Sequence, residues 1–142
     1  MNNKSKYTAA AAQLGPIDPS EPKESVVARM LNLLIEAKTK GTELVVFPEL
    51  CLTTFFPRYY ITDPANLDTY YESEVPISLM SDMFELVRKE KIIISFGYAE
   101  RDNGIPFNTS VYVESSGNIV GKYRKIHLPG HYEYEPDRPF QH

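Results

Sequence analysis

Five residues, Leu44-Val45-Val46-Phe47-Pro48, restrict the fold more than any other part of the chain. Four apolar residues in a row suit a buried strand, and Pro48 ends it because proline brings no N–H to a sheet ladder. Ahead of it, Val27, Met30, Leu31, Leu34 and Ala37 recur at helical spacing, Lys38 and Lys40 fall in the last turn, and Gly41 supplies a C-cap. Ser20 is the expected N-cap, with Glu21 and Pro22 in the first turn. Residues 6–14, closed by Gly15-Pro16, read as a strand before that helix. The opening is therefore β-α-β, and strands joined by a helix run parallel with a right-handed crossover.

Residues 53–74 are rich in Pro, Asp, Thr and Tyr and carry no clear period. A long irregular segment inside a compact domain is functional or disordered, and its aromatic content argues against disorder. Pro76 opens a second expected helix, with Ile77, Met80, Phe84 and Val87 on one face and Arg88, Lys89 and Lys91 at its end. Residues 92–99 read as a buried strand and Asp102-Asn103-Gly104 as a turn. Residues 107–113 and 119–125 form an expected hairpin about Ser115-Ser116-Gly117-Asn118. The resulting class is α/β with a mixed sheet. Helices on one face of that sheet leave the other face in need of a partner.

Composition narrows the function classes. A net charge of -4 argues against a nucleic-acid partner. Cys51 is the single cysteine, so no internal disulfide forms and a reducing compartment fits. No apolar run spans a bilayer, and the N-terminal residues lack the apolar core of a signal peptide. The expectation is a cytoplasmic protein without a membrane partner.

Glu49 is the first candidate for chemistry. It stands either as a surface glutamate past a strand end or as a desolvated base with a raised pKa at the edge where open α/β sheets bind ligands. The second candidate is the basic run Gly121-Lys122-Tyr123-Arg124-Lys125-Ile126-His127. Strand alternation sends Lys122 and Arg124 to one side and Lys125 and His127 to the other. A lysine beside Glu49 would pair with it and stabilise charge. His127, His131 and His142 do not make a helical metal motif, because Pro129-Gly130 intervenes, and no metal is expected. Cys51, two residues past Glu49, reads as a buried small hydrophobe.

Taken together, LVVFPELCLTTFFPRYY, FNTSVYV, GKYRKIHLPGH and RPFQH resemble the carbon–nitrogen hydrolase (nitrilase) superfamily, and within it the N-carbamoyl-D-amino acid amidohydrolase branch. The resemblance implies a four-layer α-β-β-α sandwich, of which residues 1–142 would be the N-terminal half. It implies a Glu-Lys-Cys triad in which Glu49 is the base and Lys125 the lysine. The nucleophilic cysteine lies in a third motif that falls after the last residue here, so this chain alone is expected to be inactive. His127 and His142 match histidines near the site. The implied reaction takes an N-carbamoyl amino acid to the amino acid, CO2 and ammonia, without a cofactor, in a homo-oligomer. Another amidase of the superfamily (a β-ureidopropionase or aliphatic amidase) is the alternative, and a non-catalytic oligomerisation module is a third.

Overall fold

The computed structural model describes residues 6–128. Five strands form one sheet in the order β1 (Ala9–Ala11), β2 (Leu44–Val46), β3 (Ile93–Asp102), β4 (Ile105–Val113) and β5 (Ile119–Arg124). The first three run parallel and the last two join antiparallel, giving the expected mixed sheet. Helix α1 (Lys23–Thr39) links β1 to β2, and α3 (Ser81–Glu90) precedes β3.

Both long helices lie on one side of the sheet. Val27, Met30, Leu34 and Ala37 of α1 and Met83, Phe84 and Val87 of α3 are buried against Val45, Ile94, Phe96, Val111 and Val113. The Phe84 and Phe96 rings meet edge to face at 6.4 Å. Each fully buried side chain of this size contributes about 1.5–3 kcal/mol relative to exposure, so this layer is the core. The opposite side of the sheet is open among the described residues. Val46, Tyr112 and Tyr123 stand on it at 43%, 40% and 58% exposure.

Three local expectations change, and one holds. Ser20 does not cap α1: its hydroxyl and amide both bond Asp18, and the helix starts at Lys23 after Pro22 with no side-chain cap. Gly41 adopts φ +76° just past the helix end, as a C-cap requires. Pro76 does not open a helix either; a 3-10 turn at Ser78–Met80 leads into α3 five residues later. Residues 53–74 are not wholly irregular. They hold a 3-10 turn at Phe56–Arg58 and the short helix α2 (Pro64–Asp68), whose N-cap Asp63 accepts from the Ala65 N–H. Phe56 stacks on Tyr70 at 4.6 Å, Arg101 pairs with Asp68 and lies 4.2 Å above Tyr71, and Lys23 pairs with Glu72. Glu72 also bridges to β3 through the Ala99 carbonyl and the Arg101 N–H. Aromatic packing and ion pairs thus pin this segment to the sheet.

Candidate active site

Past β2 the chain crosses the open face of β3. The Gly97 N–H donates to the Pro48 carbonyl and the Cys51 N–H to the Gly97 carbonyl. The crossing is tight: a Cβ on Gly97 would stand 2.9 Å from the Glu49 Cα and 3.0 Å from the Leu50 nitrogen. Leu50 then takes φ +49°, turning the chain back into the core. Glycine at 97 is therefore a condition for Glu49 lying where it does.

Two residues of the neighbouring strands reach Glu49. Asn108 sits on β4 opposite Ala99, on the open face with Ser110 and Tyr112. Its side-chain amide donates to Glu49 Oε1 at 2.5 Å. Lys125 follows the last residue of β5, and its Nζ donates to the same oxygen at 2.7 Å. The Lys125 backbone N–H donates to the Asn108 carbonyl at 2.8 Å, extending the β4–β5 ladder one step past the strand. Glu49 and Lys125 are thus paired, with Lys125 on the face opposite Lys122 and Arg124.

The pair is not buried. The Glu49 and Lys125 side chains are 43% and 35% exposed. A raised Glu49 pKa is also corrected. Partial burial pushes its carboxyl up, but the bonds from Lys125 and Asn108 and the Lys125 charge outweigh that and hold it below the ordinary value. Glu49 rests as a carboxylate. His127 is exposed and makes no hydrogen bond or ion pair with either residue among those described. His131 and His142 lie outside the described residues. Cys51 is 1% exposed, and burial pushes its thiol up to about 12, which suits a core residue and not a nucleophile.

A second charged cluster occupies the other side of the same strands. Glu100 on β3 is 1% exposed. It accepts from Arg124 at 2.9 and 3.0 Å, Lys122 at 2.6 Å and the Thr109 hydroxyl at 2.7 Å. Arg124 also bonds Asp102 at 2.6 Å and lies 3.9 Å above the Phe107 ring. Sequence reasoning missed Glu100, Asn108 and Gly97. The last carried a readable signal, since a glycine inside an apolar strand marks a close backbone approach. Asn108 carried a weaker one, an amide in a strand where that residue type is depleted.

The sheet brings a carboxylate and a lysine together on its open face, an arrangement that can stabilise charge and exchange a proton. A family profile described as carbon–nitrogen hydrolase matches residues 8–141, and the chain belongs to that family. A nitrilase of Paraburkholderia phymatum is 32% identical over 89% of this chain and 38% of its own length. A citrullinase of Francisella tularensis is 25% identical over 77% of this chain and 37% of its own. The solved carbon–nitrogen hydrolase of Helicobacter pylori G27 superposes with a TM-score of 0.70 at 26% identity, over 87% of this chain and 40% of that one. This chain therefore spans about two fifths of the length of the relatives it matches. Among the described residues, no helix is long and apolar enough to cross a membrane.

Proposed function

We propose that this chain supplies the base and the charge-stabilising lysine of a cysteine-dependent carbon–nitrogen hydrolase acting on N-carbamoyl amino acids. The observation that carries the reading is the 2.7 Å contact of Lys125 Nζ with Glu49 Oε1. In this reaction Glu49 takes the proton of a cysteine thiol, and the thiolate attacks the carbamoyl carbon. Lys125 steadies the tetrahedral oxyanion, ammonia leaves with a returned proton, and water hydrolyses the acyl-enzyme. The released carbamic acid loses CO2 to give the amino acid. Cys51 is not that nucleophile, so the thiol comes from outside the described residues. Glu49 held below the ordinary pKa is a weak base, so loss of the thiol proton has to be coupled to attack.

The carbamoyl substrate rests on the TTFFPR and HLPGH stretches and on the citrullinase likeness, since citrulline carries a ureido group. The relatives called nitrilases favour a second reading, an amidase or nitrilase with a simpler acyl group.

The test compares the 142-residue chain with a polypeptide in which coding sequence past His142 is added, measuring ammonia from N-carbamoyl amino acids, aliphatic amides and nitriles. The chain alone should release none. The extended protein should act on the carbamoyl substrates and lose about 10²–10⁴-fold in kcat with Glu49→Gln or Lys125→Met. Turnover by the short chain that depends on Cys51 would overturn the mechanism. Turnover of nitriles alone would overturn the substrate class.

A further inference from the structure

We infer that Asn108 is a positioning residue that holds the Glu49 carboxylate by one oxygen, Oε1, and so leaves Oε2 as the oxygen that takes up the proton. The inference rests on Glu49 being the base, as proposed above, but its geometry stands apart from any substrate.

Asn108 is the one residue bonded to both members of the pair among the described contacts. Its side-chain amide donates to Glu49 Oε1, and its backbone carbonyl accepts from the Lys125 N–H. Lys125 Nζ arrives at the same oxygen. Two donors on Oε1 fix the plane of the carboxylate and polarise charge toward that oxygen. Among the described residues no hydrogen bond reaches Oε2. A base must offer an unoccupied lone pair to the incoming proton, and a single lysine would not settle which oxygen that is. A lysine on a flexible four-carbon stem can follow either oxygen, whereas an amide seated in the β3–β4–β5 ladder cannot.

The chemistry of the side chain fits this task. An amide donates without titrating, so it holds Glu49 ionised across the working pH range without adding a charge that would compete with the oxyanion for Lys125. An aspartate has the same shape and would face carboxylate with carboxylate. A serine would fall short of Glu49. The backbone contribution to Lys125 survives any side-chain change at position 108, so the side-chain role can be separated from the fold.

The test is an NMR titration of the Glu49 side-chain carboxyl in the isotopically labelled 142-residue chain. Asn108→Ala should raise the Glu49 pKa by about half a unit to one unit, and Asn108→Asp by more. Ser110→Ala, two residues along the same face, should leave it unchanged. Amide shifts across β4 and β5 report whether each variant keeps the sheet. Should Asn108→Ala disturb the fold, Asn108→Ser keeps a polar side chain and the same readout. A Glu49 pKa that stays within about 0.2 units in a folded Asn108 variant overturns the inference. In the extended protein, Asn108→Ala should lower kcat about 10-fold with KM unchanged and move the acid limb of the kcat profile upward. An equal loss in kcat/KM through KM alone would also overturn it. If no extended protein turns over any substrate, the base assignment fails while the titration still decides what Asn108 does.

Discussion

Glu100→Gln tests the charge cluster behind the site. Glu100 is almost fully buried and accepts four hydrogen bonds, three of them from Lys122 and Arg124. The bonds from Arg124 outweigh the cost of burial and pull its carboxyl from the ordinary 4.5 down to about 2. A depression of that size corresponds to about 3 kcal/mol of folding stability, an upper figure because its partners keep partial contact with solvent. The folded pKa lies below the unfolded one. The stabilisation is therefore complete above pH 4.5 and drains away as pH falls toward 2.

Glutamine keeps the volume and one acceptor oxygen but removes the charge. At pH 7 the variant should lose roughly 2–3 kcal/mol, less than breaking a fully buried pair costs, because Lys122 and Arg124 are 44% and 35% exposed and can turn to water. In a domain of this length that is a fall in Tm of roughly 10 °C. The assay is urea unfolding of both proteins from pH 7 down to pH 2.5, comparing the difference between them at each pH. That difference should be flat above pH 5 and shrink below it, tending toward zero near pH 2. A difference that stays constant across the range would mean that Glu100 acts by packing, and the electrostatic account would fail.

Gly97→Ala places a methyl 2.9 Å from the Glu49 backbone, which cannot swing aside as a side-chain tip would; a loss of about 1–3 kcal/mol and a rise in the Glu49 pKa are expected, measured by urea unfolding and carboxyl NMR. Cys51 should resist a thiol reagent in the folded protein and react fully in urea, since it is 1% exposed and its thiol is pushed up to about 12; stoichiometric labelling of the native chain within minutes would contradict its core placement. Tyr112→Lys and Tyr123→Lys stand on the open face of the sheet at 40% and 58% exposure; together they should lower binding of a hydrophobic dye while moving Tm by only a few degrees, and dye binding that does not change would place the apolar surface elsewhere.

What could be read from the sequence followed periodicity. The βαβ opening, a strand over 92–99 and the turn at Asn103-Gly104 came through because hydrophobic spacing and positive-φ residues are local signals, and Asn103 and Gly104 do take φ +49° and +80°; the strand itself runs on to Asp102, into residues read as loop and turn. The Ser20 cap failed because Asp18, two residues earlier, competes for the same hydroxyl, a choice that spacing does not encode. Helix α2 escaped because five residues are too few to display a period. At the site, alternation put Lys125 and His127 on one face and the family resemblance matched Lys125 with Glu49, but the exposure of the pair was not legible. Exposure depends on what covers the sheet face, and that is set beyond the strand carrying the residue. Asn108 showed only as an amide out of place in a strand, because its contact with Glu49 comes from the crossing of residues 48–51 over β3, between positions 59 residues apart.

The two charged clusters depend on one irregularity in the sheet. Gly121 pairs with Tyr112, and Ile119 pairs with Val113, so Val120 is an extra residue in β5. In a regular strand Ile119, Gly121, Tyr123 and Lys125 would all share one face. The bulge breaks that rule. Ile119 packs into the helix-side core, while Lys125 emerges on the open face to meet Glu49. Lys122 and Arg124 consequently turn to the helix side and close on Glu100. The end of β5 is thus gripped from behind by a buried carboxylate and offered in front to a half-exposed one. Neighbouring residues Arg124 and Lys125 turn to opposite faces, and the bulge lets one short strand supply a core residue, a partner for Glu100 and a partner for Glu49.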